Sequence, residues 1–290
     1  MKAAAPGKLV ITGAYAVLEG APAIVCAVDR YAFAEDRPGT TTREVSAALD
    51  PSPAIDTSAL EDGGQKLGLG SSAAALVAAL GLDRAKKGDD LDDASVRREI
   101  FERAREVHGL VQGGGSGVDV AASTYGGVLH YTIGSVEPVK LPRGVSITAF
   151  FSGTSARTSV LRERVDALKA RDPNEHGARM SLLRELAKGA YRAVRSGDAV
   201  TFVAAVASTG EGLTALGAAA DAPIVPPAFV ELGARAKAED AAFIPSGAGG
   251  GDVGIFVGPE PSAAFTAAAR AAGMKLLTLA IERRGVHVST

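Results

Sequence analysis

The sequence predicts an α+β protein built from two domains. Two β-rich runs open the chain, "KLVITG" and "PAIVCAVDRYAFAED", and helical patterns dominate from residue 71 onwards. After Gly144 the pattern restarts with a strand, "VSITAFFSG". We therefore place a boundary there, with an N-terminal domain at 1–143 and a C-terminal domain at 144–290.

The elements of the first domain follow from local patterns. Residues 38–64 are rich in Pro, Gly, Ser, Thr and Asp, which favours short strands and a flexible loop. Ser71 or Ser72 is the predicted N-cap of a helix that ends near Leu82, and the apolar character of this helix on every side predicts burial. The stretch "DDASVRREIFERAREVHGLV" is amphipathic and forms the next predicted helix. Its apolar stripe consists of Val96, Ile100, Ala104 and Val107.

The second domain is predicted to contain several helices between its first strand and its last. A strand–helix–strand pattern at 253–282 closes the chain. The helices before it are predicted at 159–170, 178–196, 198–209 and 227–239.

The composition of the chain limits the classes of function that it can have. Of the 290 residues, 47% are hydrophobic and 22% are charged, which is ordinary for a globular protein, and a formal net charge of −2 favours neither a nucleic-acid partner nor a membrane surface. Cys26 is the only cysteine, so no internal disulfide can form. Pro6 and Gly7 interrupt the N-terminus before a signal-peptide core, and no window reaches the ~20 uninterrupted apolar residues of a membrane span. We expect a cytoplasmic protein without nucleic-acid or membrane partners, whose oligomeric state the sequence does not specify.

Three glycine clusters are candidates for ligand contacts: "GLGSSAA" at 68–74, "GGGSGVD" at 113–119 and "SGAGGGD" at 246–252. Glycine lets a backbone approach a ligand closely, and successive N–H groups at the start of a helix attract anions. In the first cluster the glycines lead directly into the predicted helix, so amides and two hydroxyls would lie at the positive end of its dipole. This cluster is therefore a candidate phosphate site, whose hydroxyls could also ligate Mg²⁺.

Two familiar phosphate motifs do not fit this first cluster. A P-loop needs Gly-Lys followed by Ser or Thr at the helix start, and the sequence has no such tripeptide. A Rossmann fingerprint needs a hydrophobic strand immediately before it, whereas "ALEDGGQK" is a polar turn. A Ser-capped loop before an ordinary core helix explains the cluster equally well, so the cluster alone leaves both interpretations open.

Four stretches resemble, in order and spacing, the motifs of the GHMP small-molecule kinases: "APGKLVITGAYAVLEGAPAIVCAVDR", "KLGLGSSAAA", "QGGGSGVDVAASTYGG" and "PSGAGGGDVGI". This family includes galactokinase and the homoserine, mevalonate and phosphomevalonate kinases, and the motifs are most similar to those of phosphomevalonate kinases. The resemblance extends from Ala5 to about Val257. It implies a two-domain GHMP kinase architecture, with an N-terminal domain like domain 2 of ribosomal protein S5, a ferredoxin-like C-terminal domain, and an active site in the cleft between them.

The resemblance also implies a nucleotide site and a catalytic pair, with ATP as phosphoryl donor and Mg²⁺ as cofactor. Lys8 in "APGK" would be a fixed cation near the transferring group, although a surface lysine at the end of a turn is the commoner arrangement. Asp119 matches the active-site aspartate of the family, and a helix N-cap role is compatible with that match. Ser71 and Ser72 would reach Mg²⁺. The residues that match the ATP-phosphate loop are Gly68, Leu69, Gly70, Ser71, Ser72 and Ala73.

The implied acceptor is a small molecule that already carries a phosphate, phosphomevalonate. A phosphate monoester has a second pKa of ~6 and is mostly dianionic at pH 7, so neutralised repulsion and alignment matter more than deprotonation. Candidate cations are Lys8, Arg30 and Arg157, and a surface-turn role for Arg157 is about equally compatible. The acid Asp252 is typical of phosphomevalonate kinases. The other residues that match acceptor-binding segments are Ser116, Gly117, Ser155, Thr158, Ser246, Gly247, Gly249 and Gly250.

Two positions depart from the family pattern. Ala14 stands where the family usually has Glu. Mevalonate kinases place a metal-binding Glu eleven residues before the active-site Asp, and that position is His108 here, with Gln112 four residues later. This difference speaks against mevalonate kinase and leaves the acidic Mg²⁺ ligand unidentified. Two alternatives stay open: a GHMP kinase with another acceptor, of which mevalonate is the nearest, and a non-catalytic relative that binds nucleotide.

Overall fold

The computed structural model describes residues 1–154 and 158–289, and its mixture of helices and sheets confirms the predicted α+β class. The strands are β1 (Lys2–Thr12), β2 (Ala23–Glu35), β3 (Ala54–Asp56), β4 (Glu61–Asp62), β5 (Gln65–Lys66), β6 (Val128–Thr132), β7 (Ser135–Val139), β8 (Ser146–Phe151), β9 (Ala242–Pro245), β10 (Val253–Gly258), β11 (Lys275–Leu277) and β12 (His287–Val288). The helices are α1 (Arg43–Ala48), α2 (Ser71–Lys86), α3 (Ala94–Val111), α4 (Val118–Tyr125), α5 (Thr158–Arg171), α6 (Pro173–Ser196), α7 (Ala199–Ala219), α8 (Pro227–Lys237) and α9 (Ala263–Ala271).

Contacts divide the chain into two compact units that do not follow a single cut in the sequence. The first unit consists of Met1–Leu9, Val25–Pro138 and Ala280–Thr290, and the second of Val10–Ile24 and Val139–Leu279. The predicted division between residues 143 and 144 lies near one of these boundaries, but residues 10–24 and 280–290 fall in the opposite unit from the one predicted.

Strand pairing and packing explain the difference. The end of the chain belongs to the first unit because β12 pairs with β1, with Ala3 opposite Val288. The tip of the β1–β2 hairpin belongs to the second unit because Tyr15 and Ala16 enter the hydrophobic core of that unit beside Leu213 and Ile224. Neither long-range contact leaves a signal in the local sequence pattern.

The first unit contains a sheet in the order β12-β1-β2-β6-β7, with β3 added on β2, and the helices α1 to α4. Helix α2 is buried on nearly every side, as predicted. Its N-cap is Gly70 rather than the predicted serine, because Gly70 adopts a left-handed conformation (φ 79°, ψ 37°) that places Ser71 inside the first turn. The helix also ends at Lys86, later than predicted, where Arg84 and Lys86 suit its negative C-terminal end.

Two further helices frame α2. Helix α3 is amphipathic as predicted, and its buried residues include the whole predicted stripe. The prediction of only short strands and a loop at 38–64 was incomplete, because Arg43–Ala48 forms α1. The hydroxyl of Thr42 caps this helix by accepting the Val45 N–H at 3.3 Å. With 6 residues, α1 is shorter than the segments in which hydrophobic periodicity identifies a helix.

The second unit contains an antiparallel sheet in the order β11-β8-β10-β9 with α5 to α9. Helices α5, α6 and α8 lie where the sequence predicts them, and so does the closing strand–helix–strand of β10, α9 and β11. Helix α7 was predicted to end at 209 but continues to Ala219. The continuation packs closely against α6, since an added Cβ at Gly212 would lie 2.9 Å from Leu183 on α6.

Helix α7 is also the one helix among the described residues that is long and apolar enough to cross a membrane by length and composition. Its buried face includes Phe202, Val206 and Leu213, which contact the core of the second unit. Core helices of folded domains share this composition, so the observation is weak evidence for a membrane span.

Candidate active site

The first glycine cluster forms the N-terminal end of α2. Gly68 and Gly70 both have positive φ, and the Leu69 side chain between them is buried. Within residues 1–154 and 158–289, no side chain caps the helix, and Ser71 is buried in its first turn. The first amides of α2 therefore lack an intrahelical or side-chain partner at the positive end of the dipole. This geometry suits a bound anion.

Lys8 lies against this helix end. Its ammonium donates to the Gly68 carbonyl at 2.9 Å, and its backbone N–H donates to the Leu69 carbonyl at 2.9 Å. A Cβ added at Gly70 would lie 3.1 Å from Cγ of Lys8 and 3.7 Å from Cβ of Asp119. Lys8 and Asp119, predicted from distant motifs, therefore converge on Gly70.

Asp119 lies in the first turn of α4, after Gly117 as the N-cap. The structure therefore does not give Asp119 the N-cap position that the sequence left open. Its Oδ1 accepts the Val120 N–H at 2.9 Å, and its Oδ2 lies 3.8 Å from Nε2 of His108. The Asp119 side chain is 24% exposed, so its carboxylate is accessible from solvent.

Ser116 and Gly117 precede Asp119 and are held by Tyr131 of β6. The Tyr131 hydroxyl donates to the Ser116 carbonyl, and burial raises the pKa of Tyr131 to about 12. The phenol therefore stays protonated and keeps donating across the physiological pH range. This bond fixes the entry of the chain into α4.

The third glycine cluster lies in the second unit and is tied down along its length. The Ser246 hydroxyl accepts the Val10 N–H at 2.9 Å, so this predicted acceptor residue is engaged within the protein. The Gly250 N–H donates to the Ile224 carbonyl and the Asp252 N–H to the Thr154 carbonyl, both at 2.8 Å. The loop is therefore a defined backbone cradle, which includes Gly247 and Gly249.

Tyr15 anchors the middle of that cradle. Its hydroxyl donates to the Ala248 carbonyl at 2.7 Å, and its ring is buried. The backbone of Tyr15 has φ 61°, a conformation that is strained for a residue with a Cβ. The surrounding packing must hold Tyr15 in this conformation, which is consistent with a positioning role for the phenol.

We predict that Tyr15→Phe loosens the cradle. A buried carbonyl without its donor costs about 1–3 kcal/mol, so unfolding should occur at lower denaturant and the KM for substrate should rise by up to about tenfold. Denaturant titration and steady-state kinetics measure both effects. Tyr191→Phe, which changes an exposed phenol near Arg195 on α6, is the matched control. Unchanged stability and KM in Tyr15→Phe would contradict the assignment.

The other predicted residues are placed as follows. Arg30 on β2 donates to the Ala59 carbonyl at 3.2 Å. Its backbone lies beside Gly7 of β1, where an added Cβ would be 3.3 Å from the Arg30 carbonyl oxygen. Thr158 begins α5 and is exposed. Ser155 and Arg157 lie outside the described residues. Ala14, which replaces the usual Glu, packs in the core of the second unit, where a carboxylate would be desolvated.

Sequence analysis missed Glu44 of α1, whose side chain is buried. Its Oε1 accepts from Nε2 of Gln112 at 2.5 Å. Burial raises the pKa of Glu44, but hydrogen bonds from its own N–H, Gln112 and Thr42 and the nearby His108 outweigh burial, so the pKa lies below its ordinary value. The only sequence signal was a Thr-rich helix start in a stretch assigned to loop.

Metal-binding geometry was tested on the same residues. No group of three His, Cys, Asp or Glu side chains suited to a metal ion occurs in the part of the chain that the structure describes. The oxygen donors at the end of α2 are the hydroxyls of Ser71 and Ser72. Mg²⁺ usually keeps waters and substrate phosphates as ligands and needs few protein groups, so these hydroxyls fit its chemistry.

Comparisons with known proteins identify the family of this chain. The family model of the GHMP kinases N terminal domain matches residues 43–127. A mevalonate kinase from Aeropyrum pernix is 30% identical, over 68% of this chain and 71% of its own. A phosphomevalonate kinase from Streptomyces sp. (strain CL190) is 26% identical, over 87% of this chain and 88% of its own.

A solved structure has the same fold. Phosphomevalonate kinase from Streptococcus pneumoniae, in complex with phosphomevalonate and AMPPNP, superposes with a TM-score of 0.81 at 20% identity, over 97% of this chain and 99% of that one. The chain therefore belongs to the GHMP kinase family. Its curated relatives in these comparisons are kinases of mevalonate or of phosphomevalonate.

Proposed function

We propose that this kinase transfers the γ-phosphoryl group of ATP to the phosphate of 5-phosphomevalonate, giving ADP and 5-diphosphomevalonate. The observation that carries the proposal is the convergence of Lys8 and Asp119 on Gly70, at the uncapped end of α2. This arrangement combines an anion site, a fixed cation and a carboxylate within a few ångströms. Phosphoryl transfer depends on positioning and charge stabilisation, which these groups supply.

The nucleotide phosphates bind at the start of α2. The backbone from Gly68 to Ala73 approaches the triphosphate closely, and the helix dipole and unpaired amides favour its charge. Ser71 and Ser72 would hold Mg²⁺, with the rest of its ligands coming from water and the nucleotide. When bound, the ion neutralises the charge of the β- and γ-phosphates.

Lys8 reduces the repulsion between donor and acceptor. Both partners are anionic at pH 7, because the second pKa of a phosphate monoester is ~6. The Lys8 ammonium, fixed by the Gly68 carbonyl, stands beside the amide end that binds the donor. Asp119 orients the acceptor and does not need to remove a proton from it. Arg30 is a second candidate cation for the acceptor, because its strand position is next to that of Gly7.

By its resemblance to the family motif, the third glycine loop is a candidate for backbone contacts with the acceptor, through Gly247, Gly249, Gly250 and Asp252. Arg157, Ser155 and Thr158 remain candidate acceptor contacts from their position in the sequence. Support for phosphomevalonate over other acceptors comes from the similarity to the Streptomyces phosphomevalonate kinase, which spans most of both chains. The imidazole of His108 beside Asp119 agrees with it, since that position holds a carboxylate in mevalonate kinases.

Mevalonate is the second candidate acceptor. The observation that favours it is the 30% identity to the Aeropyrum mevalonate kinase. A hydroxyl acceptor would require Asp119 to take its proton in the transition state. The two candidates therefore differ in whether Asp119 must act as a general base.

An acceptor panel tests the proposal. ADP release is measured with mevalonate, phosphomevalonate, homoserine and galactose at equal enzyme, and nucleotide affinity is measured in parallel. We expect the highest kcat/KM with phosphomevalonate, by at least about tenfold, which corresponds to 1.4 kcal/mol of discrimination. A preference for mevalonate would establish the second candidate, and nucleotide binding without ADP release from any acceptor would indicate a non-catalytic relative.

A further inference from the structure

Glu44 is a buried carboxylate that the proposed reaction does not use. It lies on α1, is 5% exposed, and receives the Gln112 amide at 2.5 Å. A buried charge is retained only where hydrogen bonds and an opposite charge compensate its desolvation. The hydrogen bonds come from Gln112, Thr42 and its own backbone N–H.

His108 lies beside Asp119 of the candidate active site. It is on the last turn of α3, one turn before Gln112, and the Gln112 N–H donates to its carbonyl at 3.0 Å. Its side chain is 12% exposed, and its Nε2 lies 3.8 Å from Oδ2 of Asp119. The end of α3 therefore approaches both carboxylates: Gln112 donates to Glu44, and His108 approaches Asp119.

Two simpler explanations account for only part of this arrangement. A tie between α1 and α3 explains the Glu44–Gln112 hydrogen bond but not the approach of His108 to Asp119. A metal site would need a third ligand, and the described residues contain no suitable group of three. The arrangement instead has the form of a support for Asp119.

We infer that His108 and Glu44 are positioning residues for Asp119: His108 holds the Asp119 carboxylate toward the reacting phosphates beside Lys8, and Glu44, through its hydrogen bond with Gln112, holds the last turn of α3 that carries His108. The inference rests on the proposed function, because it assigns a role within the same site. Neither residue touches the substrate. Gln112 completes the arrangement by keeping the Glu44 carboxylate in place. No proton transfer or covalent step is involved.

A double-mutant cycle of Glu44→Gln and His108→Gln tests the inference. The readouts are kcat and KM with the best acceptor of the panel, nucleotide affinity and thermal stability. Each single change should lower kcat roughly tenfold, which lies within the range of interaction energies between residues of one hydrogen-bond network. The KM values should change little. Because Glu44 acts through His108, the double variant should be no slower than His108→Gln alone.

Matched controls come from a second His–carboxylate pair. His130 of β6 and Glu137 of β7 lie 3.4 Å apart, and the same changes to Gln there should leave kcat unchanged. If Glu44→Gln does not fold, Gln112→Ala removes the hydrogen bond to Glu44 from an exposed position and replaces it in the cycle, with the same non-additivity expected.

The possible results separate the two proposals. If the double variant loses kcat by the product of the two single losses, or if the single variants keep the wild-type kcat, the positioning role is overturned. The acceptor assignment stays intact in either case. Lower stability with unchanged kcat would show a purely structural role and would overturn it too. A wild-type protein that turns over no acceptor would overturn the proposed function and this inference together.

Discussion

Lys8→Ala is expected to lower kcat by about 10²–10³-fold, the cost of removing one preorganised group that stabilises developing charge. The reason is electrostatic, because the ammonium beside Gly70 offsets the approach of two anionic phosphates. Its contribution is largest in the transition state, where the transferring group lies between donor and acceptor. Binding of ATP depends mainly on the amides of α2, so the nucleotide Kd should change by less than about tenfold. Steady-state kinetics and calorimetric titration of a non-hydrolysable ATP analogue measure the two effects.

The control for this change is Lys87→Ala. Lys87 follows α2 at its other end and forms an exposed ion pair with Asp83, at 2.6 Å, whose contribution to stability is small. The control variant should retain wild-type kcat and Kd. If Lys8→Ala weakened nucleotide binding as much as it lowered kcat, Lys8 would be a nucleotide-binding residue and the assignment to the transferring group would be wrong.

Gly249→Ala is expected to produce the largest loss of stability among the changes considered, together with a loss of activity. Gly249 has φ +80°, and an added Cβ would lie 2.0 Å from the carbonyl oxygen of Ile224. The left-handed conformation alone costs about 1–2 kcal/mol for a residue with a Cβ. The collision adds to that cost because its partner is backbone, and the cradle must open by displacing the Gly250–Ile224 hydrogen bond. We expect a total loss of about 3 kcal/mol or more, which is at the upper end of single substitutions.

Gly197→Ala separates the two contributions. Gly197 ends α6 with φ +71°, and an added Cβ there would meet nothing within 4 Å. This control therefore has the conformational cost without the collision, and kcat/KM should stay at the wild-type value. Chemical denaturation and the acceptor assay distinguish the variants. Equal stability of Gly249→Ala and Gly197→Ala would mean that the loop relaxes easily and does not form a rigid cradle.

The glycine loop at the start of α2 was largely predictable from sequence, and the reason is its locality. Gly68, Gly70 and Ser71 fall within four successive positions, so a glycine loop that enters a helix is visible as a short pattern. The N-cap was assigned to the wrong residue because serine is preferred there statistically, whereas the backbone conformation of Gly70 decided the outcome. Lys8 and Asp119 were predicted by their resemblance to family motifs, and their convergence on Gly70 could not have come from spacing.

The supports of the site were not predictable. The Glu44–Gln112 hydrogen bond joins residues 68 positions apart, and the Tyr15–Ala248 hydrogen bond joins residues 233 positions apart. Glu44 lies in a segment whose composition indicated a loop, and Tyr15 has a conformation that sequence preferences disfavour. Each is held by tertiary packing that overrides the local preference.

By itself, the sequence determined the two-domain α+β class, the buried helix α2, the amphipathic helix α3 and the motifs that identify the kinase family, because all of these depend on neighbouring residues or on ordered motifs. Only the tertiary structure decided where the C-terminal residues and the tip of the β1–β2 hairpin belong, which groups flank Gly70, how His108 approaches Asp119 and how Gln112 holds Glu44. Those features depend on contacts between distant segments, whose free energy is gained only when the chain has folded.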